Sequence, residues 1–200
     1  MLEHESVNDT GPLDPDGRVI LYGVGWWQYE SMLAIRGDAS GVRIAYLEGA
    51  LEIVSPSKAH ERIKKTIARL VEAYADETGI SFEGYGSMTM RNAPKERGAE
   101  PDECYLVGGG QGEPNLVIGV VWTSGGLDKQ RLYAGLGIAE LWVWNDGKLD
   151  VYALRGEEYL AVPRSQLLPG LDLALLARFV DVPSQTVAVR AFRSALKAMG

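Results

Sequence analysis

One segment of the sequence, residues 115–122, is almost wholly apolar and reads NLVIGVVW. A strand with one face in water alternates apolar and polar residues, whereas a strand covered on both faces has a nearly continuous apolar run. The segment therefore predicts a central strand buried on both sides. A fold that contains such a strand needs further layers of structure packed against both faces of its sheet.

The most regular helical pattern lies in residues 59–78. Its apolar residues recur every three or four positions, as they do along the buried face of an amphipathic helix. Ser57 can cap the start of this helix, and Gly79 is typical of its end. We expect the helix to pack on the sheet through its apolar stripe. The stripe consists of Ile63, Ile67, Leu70, Val71 and Tyr74.

Strand patterns and turn residues predict the rest of the sheet. Glu48-Gly49 and Asn145-Asp146-Gly147 are typical of tight hairpin turns. We expect the strand-forming segments to lie in one mixed sheet with helices on its faces, which is an α/β (α+β) fold. These segments are residues 42–54, 80–107, 115–122 and 139–154.

The length of the chain suits one domain, which we place at residues 18–200. Residues 1–17 carry few large apolar side chains, and we predict that they form a mobile arm. Residues 171–199 are predicted to form two C-terminal helices separated by Pro183.

Charge and composition limit the function classes. The formal net charge of −7 argues against a sequence-blind nucleic-acid binder that depends on overall charge, although it leaves room for a local basic groove. No apolar run approaches the roughly 18–20 residues needed to cross a membrane, and the N-terminus lacks the features of a signal peptide. Cys104 is the only cysteine, so we expect no internal disulfide and a cytoplasmic location.

Several enzyme classes lack residues that they require. The zinc-protease pattern HExxH needs a second histidine where this chain has Lys64, three residues after Glu61. His4 and His60 are the only histidines, which leaves no zinc site with the usual ligand types. No glycine loop has phosphate-binding spacing, and no GxSxG motif is present to carry a nucleophilic serine.

Three charged residues near the predicted sheet are candidates for a metal-dependent site. Glu61 lies at the start of the long helix, Asp102 begins a strand after a proline, and Lys129 begins the helix after the apolar strand. Each has an ordinary alternative, namely an acid that complements the helix dipole, a solvated turn, and a surface lysine. Together, two acids and a lysine around a central strand could bind Mg²⁺ through oxygen ligands and hold a phosphodiester beside it.

Three stretches of the chain carry a family resemblance. They read YLEGALEIVSPSKAHERIKKTIARLV, GSMTM followed by EPDECYLV, and LVIGVVWTSGGLDKQRLYAGLGIAELWVWNDGKLDVYAL. Spread over residues 26–180, they resemble in order and spacing the Uma2 family, formerly a domain of unknown function in the PD-(D/E)XK nuclease superfamily. The resemblance implies a restriction-endonuclease-like fold with a central mixed β-sheet flanked by helices and an active site along one sheet edge.

The resemblance also implies roles by position. Glu61 matches the family's helix acid, Asp102 matches the aspartate of the PD motif, and Lys129 matches the lysine, which this family carries on the helix after the strand. Asp102 and Glu61 would bind Mg²⁺ or Mn²⁺, and Lys129 would orient the attacking water or neutralise developing charge. We expect these residues and Gly119 to converge, with Asp102 and Lys129 facing a common cleft.

The chain departs from the family pattern in the central strand. The family has a segment like LVIEV, whereas this chain reads LVIGV, with Gly119 at the position of the glutamate. Alternation along the strand points Gly119 at the site, where it supplies no ligand. Glu103 faces away from Asp102 if both lie in the strand, whereas Glu100 shares the face of Asp102 and is a candidate substitute ligand.

Functions of different classes therefore remain open. The resemblance implies a Mg²⁺-dependent endonuclease that hydrolyses the phosphodiester bonds of DNA. Gly119 and the net negative charge favour instead a catalytically inactive relative that binds nucleic acid or a protein partner. A third interpretation is a structural homodimer that uses exposed aromatic residues.

Overall fold

The computed structural model describes residues 16–39, 41–120 and 126–199. Within these residues the chain forms eleven strands and five α-helices. The strands are β1 (Gly17–Tyr22), β2 (Arg43–Leu47), β3 (Ala50–Ser55), β4 (Phe82–Gly86), β5 (Met90–Asn92), β6 (Arg97–Ala99), β7 (Glu103–Val107), β8 (Leu116–Val120), β9 (Glu140–Asn145), β10 (Lys148–Arg155) and β11 (Glu158–Val162). The helices are α1 (Trp26–Arg36), α2 (Lys58–Thr78), α3 (Lys129–Leu136), α4 (Leu173–Ala177) and α5 (Gln185–Met199).

The strands form two sheets. The five-stranded sheet has the order β1-β3-β2-β6-β5, and all its pairs are antiparallel. The six-stranded sheet has the order β11-β10-β9-β8-β7-β4 and is mixed, because β8 and β9 are parallel while its other pairs are antiparallel. The predicted α/β class, with helices flanking a mixed sheet, is confirmed.

The prediction of a single sheet is wrong. Residues 42–54 form β2 and β3, which pair with β1 and β6 in the five-stranded sheet. Residues 80–107 divide between the two sheets, since the chain leaves the five-stranded sheet after Ala99 and enters the six-stranded sheet at Glu103. Alternation along a strand shows which side chains share a face. It does not show which strand becomes the neighbour, and tertiary packing decides that.

Strand β8 is a buried inner strand of the six-stranded sheet, as its apolar sequence predicts. All five of its residues are buried, and β7 and β9 lie on either side of it. Parallel neighbours need a crossover connection, and the segment between β8 and β9 contains α3. Residues 121–122 of the predicted strand, and residues 123–125 of the predicted turn after it, lie outside the described residues.

Helix α2 covers one face of the six-stranded sheet. Ser57 caps it by accepting a hydrogen bond from the backbone N–H of His60, and Gly79 ends it in the left-handed conformation with φ of 69°. The predicted stripe is buried against this sheet, which confirms the packing prediction. Its residues Ile63, Ile67, Leu70 and Tyr74 share one core with Tyr105, Leu116, Ile118, Val120 and Trp142.

Helix α3 covers the opposite face. Its Leu132 and Tyr133 share a second core with Val117 of β8 and Leu141 of β9. Since Val117 faces α3 while its neighbours in the chain face α2, alternation turns Gly119 toward the α3 side of the sheet. The candidate site therefore has to lie on that side.

The five-stranded sheet has a small core of its own beneath α1. Tyr29 of α1 is packed among Ile44, Tyr46 and Leu51, and the rings of Tyr29 and Tyr46 stack with centroids 5.1 Å apart. Gly98 of β6 permits this arrangement, because a side chain there would overlap the Tyr29 hydroxyl.

The ends of the chain can be compared with the predictions only in part, and the end of the predicted arm differs, since Asp16 is hydrogen-bonded to Ser57 and lies 2.7 Å from His60. Residues 1–15 of the predicted arm lie outside the described residues, while Gly17 begins β1. The two C-terminal helices are observed as α4 and α5, with Pro183 between them. The division into an arm and one domain stays a prediction. Among the described residues, no helix combines the length and the apolar character that crossing a membrane requires.

The packing of α2 predicts the cost of a cavity at Ile67, which has 0% of its surface exposed. We expect Ile67→Ala to lower the free energy of unfolding by about 2–5 kcal/mol, because a buried aliphatic side chain is lost and a cavity remains. The matched control is Ile35→Ala on α1, where the side chain is 86% exposed and the expected change is within about 0.5 kcal/mol. Urea unfolding of both variants measures the difference, and equal effects would contradict the packing of α2.

Candidate functional site

The link between the two sheets carries two acidic residues. Strand β6 ends at Ala99 and β7 begins at Glu103, so Glu100 and Asp102 lie where the chain passes from one sheet to the other. Both are buried. They border a cavity of about 60 Å³, here called the junction cavity, to which Gly119 also contributes. The charged residues and the histidine that line the junction cavity are Asp16, Arg18, Arg43, Glu52, His60, Glu100, Asp102 and Lys129.

Asp102 immediately precedes β7, next to Gly119 of β8. The register of β7 and β8 begins with Glu103 and Ile118, and extending it by one position sets Asp102 against Gly119 on the opposite face, which is the α3 side. The backbone N–H of Val120 donates to Asp102 Oδ2 at 2.6 Å. Asp102 and Gly119 thus share a face and line the same cavity, as the sequence predicts.

The other oxygen of Asp102 contacts side chains from two further elements. Arg43 of β2 forms an ion pair with Oδ1, and His60 Nε2 lies 2.9 Å from the same oxygen. Helix α2 therefore presents His60 directly to Asp102. With the Val120 N–H at Oδ2, the carboxylate has partners on both oxygens.

His60 bridges two carboxylates through its two ring nitrogens. Its Nδ1 lies 2.7 Å from Asp16 Oδ2, and Asp16 also accepts a hydrogen bond from the backbone N–H of Ser57 at 2.7 Å. Burial lowers the pKa of His60, and the charge of Asp16 opposes that effect. Burial alone would raise the pKa of Asp16, but the hydrogen bond from Ser57 and the charge of His60 bring it below its usual value.

Glu61 lies at the edge of the site, and its side chain is 44% exposed. Its carboxylate is bound by Arg43 at 2.5 Å and by Lys64 at 2.6 Å. Burial tends to raise the pKa of Glu61, but these two cations hold it below its usual value. Glu61 lines an open groove of about 600 Å³ next to the junction cavity. Its connection to Asp102 runs through Arg43.

Lys129 pairs with an acid that was not predicted as a site residue from the sequence. The Lys129 ammonium forms an ion pair with Glu52 of β3, whose side chain is completely buried. Arg18 Nε lies 3.4 Å from the other Glu52 oxygen, which also accepts a hydrogen bond from the backbone N–H of Leu127 at 3.3 Å. Burial lowers the pKa of Lys129, and the charge of Glu52 opposes this shift.

The two remaining acids near Asp102 lie as alternation predicts. Glu103 is absent from the lining of the junction cavity and lies on the α2 side. Burial raises the pKa of Glu103, and the charges of Lys64 and Lys65 partly counteract this rise. Glu100 does line the cavity, but both its oxygens are engaged. Arg36 binds both of them, and the Ile44 N–H and the Thr89 hydroxyl donate one hydrogen bond each.

The structure therefore brings most of the predicted site residues together. Asp102, Gly119, Lys129 and Glu100 line one cavity, with Asp102 and Lys129 facing it from different elements. Glu61 lies outside this cavity, on the far side of Arg43. The catalytic and metal-binding roles of these residues stay predictions.

Comparison with known proteins identifies the family of the chain. A family model described as "Uma2: Putative restriction endonuclease" matches residues 26–182, which is well over half of the chain. The chain belongs to the Uma2 family. No curated protein matches it.

The site of this Uma2 protein does not fit a divalent cation in the arrangement observed. Mg²⁺ is bound in proteins mainly through carboxylates that complement its charge. Among the residues that the structure describes, no group of three or more His, Cys, Asp or Glu side chains is placed to hold a metal ion. Moreover, Asp102 and Glu61, the two ligands that the resemblance implies, are both paired with Arg43.

Sequence reasoning missed five charged or histidine residues of the junction cavity, namely Asp16, Arg18, Arg43, Glu52 and His60. Glu52 had a usable signal, since it is a single acid within the otherwise apolar strand ALEIV, and acids are almost never fully buried unless they are paired. His60 was considered only as a zinc ligand. Arg43 carries no local signal, because a basic residue at the start of a strand is ordinarily solvated.

The burial of Glu52 predicts a large cost when its charge is removed. We expect Glu52→Gln to lower the free energy of unfolding by about 3 kcal/mol, because Lys129 loses its partner in a largely buried place. The matched control is Asp150→Asn, which breaks the exposed pair of Asp150 with Lys148 and should cost less than about 1 kcal/mol. Urea unfolding near neutral pH measures both.

A double-mutant cycle separates this ion pair from other effects of the substitution. Adding Lys129→Met to Glu52→Gln removes the unpaired ammonium, so the double variant should lose less stability than the sum of the two single variants. Strict additivity would mean that Glu52 and Lys129 do not stabilise one another.

Proposed function

We propose that the junction cavity and its adjoining groove bind the phosphate backbone of DNA, and that this chain hydrolyses DNA weakly or not at all. Membership of a family described as a restriction endonuclease supports DNA as the ligand. The proposal of weak or absent hydrolysis rests on the surroundings of Asp102. This acid lies beside Gly119 instead of a second acid, and Arg43 neutralises it.

The kinds of side chain in the open groove support a phosphate site despite the net charge of −7. The groove is lined by Arg36, Arg43 and Lys64 and by the hydroxyl groups of Ser87 and Thr89, although the acids Asp38, Glu61 and Glu100 also line it and each of the three basic side chains pairs with an acid. Basic side chains and hydroxyls are the groups that usually contact phosphate oxygens in protein–DNA complexes. Because bulk charge opposes the approach of DNA, binding has to depend on this groove and to weaken steeply with salt.

The weakness of hydrolysis follows from the charge balance of the cavity. Attack on a phosphodiester needs a positioned water and compensation for the charge that develops in the transition state. Lys129 could supply compensation, but its ammonium is bound to the buried Glu52. Asp102 could accept a proton from water only if it were released from Arg43 and His60, which contact the same oxygen.

One observation favours the rival function, an active endonuclease that uses Mg²⁺ or Mn²⁺. Glu52 provides a further buried carboxylate in the cavity, beside Asp102 and Glu100, although it lies on a different strand from Gly119. Glu100 was the substitute that the sequence predicted, but Arg36, Ile44 and Thr89 already satisfy its oxygens. Glu52 is engaged in the same way by Lys129, Arg18 and the Leu127 N–H, so either acid would have to exchange its partners for the metal ion.

Nicking of supercoiled plasmid DNA tests the proposal. We expect weak or undetectable nicking by the unmodified chain in Mg²⁺, with some recovery in Mn²⁺, which a given ligand set binds more tightly. Gly119→Glu should raise activity because it places a carboxylate beside Asp102, and adding Asp102→Ala should abolish that gain. Gly119→Gln is the matched control, since it adds nearly the same bulk without the charge.

Three outcomes would count against the proposal. Efficient nicking by the unmodified chain in Mg²⁺ would establish the endonuclease instead. Equal activity of Gly119→Glu and Gly119→Gln would show that the missing charge is not the limitation. If no labelled duplex binds at low salt, as measured by fluorescence anisotropy on folded protein, DNA is not the ligand.

We also propose a homodimer in the cytoplasm. Exposed aromatic residues support self-association, since Tyr22 and Trp27 have 79% and 70% of their surfaces exposed and large apolar side chains are enriched at interfaces. We expect light scattering to give twice the mass of one chain, and Trp27→Glu to shift it toward one chain. A single-chain mass for the unmodified protein would exclude the dimer.

A further inference from the structure

Arg43 occupies a central position among the charges of the site. Its guanidinium pairs with Asp102 Oδ1 and with Glu61 Oε1, the latter at 2.5 Å, and lies 3.4 Å from His60 Nε2. The side chain is only 14% exposed, and it lines both the junction cavity and the open groove. One arginine therefore joins both carboxylates that the resemblance implies as metal ligands.

A guanidinium is well suited to this position. It stays positively charged over the whole physiological pH range, and its planar fork of donors can contact two carboxylates at once. A divalent cation would bind the same carboxylates, so Arg43 and the metal compete for them. This competition requires no nucleic acid and no hydrolysis, so it is independent of the proposed function.

We propose that Arg43 is a built-in cation that keeps divalent metal ions out of this site. Removal of its charge leaves the Asp102 carboxylate, the Glu61 carboxylate and the imidazole of His60 without their shared partner. Carboxylates and imidazole are donor types that Mn²⁺ accepts, and these side chains have to shift from their observed places to converge on one ion. Lys64 still pairs with Glu61, so Asp102 becomes the principal ligand of the opened site.

Calorimetric titration of the purified full chain with Mn²⁺ tests this role in the absence of DNA. We expect Arg43→Gln to bind Mn²⁺ about tenfold more tightly than the unmodified chain, because the ion no longer competes with a guanidinium for the Asp102 carboxylate; a factor of ten corresponds to about 1.4 kcal/mol. Asp102→Asn added to Arg43→Gln should remove the gain. Mn²⁺ should also raise the melting temperature of Arg43→Gln, because a ligand that binds only the folded state stabilises it.

The matched control is Arg193→Gln. Arg193 likewise bridges two carboxylates, those of Asp76 and Glu77, at 2.7 and 2.8 Å, but it lies on α5 outside the site. Its loss should leave Mn²⁺ affinity unchanged. An equal gain in Arg193→Gln would show that any freed acidic pair binds the ion, which would overturn a specific role for Arg43.

Two further measurements test whether Arg43 excludes Mn²⁺. Low, non-denaturing concentrations of guanidinium should compete with Mn²⁺ in Arg43→Gln, since free guanidinium can bind where the Arg43 side chain was. Should Arg43→Gln fail to fold, Arg43→Lys provides the test, because a single ammonium is a poorer bridge between two carboxylates and should allow intermediate Mn²⁺ affinity. A folded Arg43 variant that binds Mn²⁺ no better than the unmodified chain overturns the proposal, whatever the nuclease assay shows.

Discussion

Carboxylates buried where the two sheets meet need positive partners, and this need organises the centre of the molecule. Glu52 is completely buried, and Glu100 and Asp102 are nearly so. A carboxylate left unpaired in such a place would cost several kcal/mol. Each of the three is matched by a basic side chain from another element, and the pairs connect the sheet junction to α3, α1 and β2. The partners of Glu52, Glu100 and Asp102 are Lys129, Arg36 and Arg43, respectively.

The same pairing limits what the site can do chemically. A cavity that binds a divalent cation presents an excess of negative charge, which the ion offsets. In this member of the Uma2 family Gly119 next to Asp102 supplies no side-chain ligand, and Arg43 neutralises Asp102. The contacts that stabilise the junction therefore engage the same oxygen atoms that a metal ion would need.

Most elements of the fold could be predicted because their signals are local. The stripe on α2, the apolar run of β8 and the turn residues of the two hairpins follow from side-chain periodicity and backbone preference. Strand partners could not be predicted in the same way. The β2–β3 hairpin joins β1 and β6 instead of the sheet that contains β8, and nothing within residues 42–54 indicates this, because pairing depends on the packing of distant segments.

For the site, the sequence by itself determined the face and the chemistry of individual positions. Alternation along β7 and β8 directs Asp102 and Gly119 to one side and Glu103 to the other, and the resemblance implies an acid where the chain has Gly119. Only the tertiary structure decided the partners. Glu52 and Lys129 are 77 residues apart in the chain, and Arg43 reaches Asp102 from another sheet. Such contacts depend on how complete elements pack, because a charged side chain pairs with whatever opposite charge the fold brings within reach.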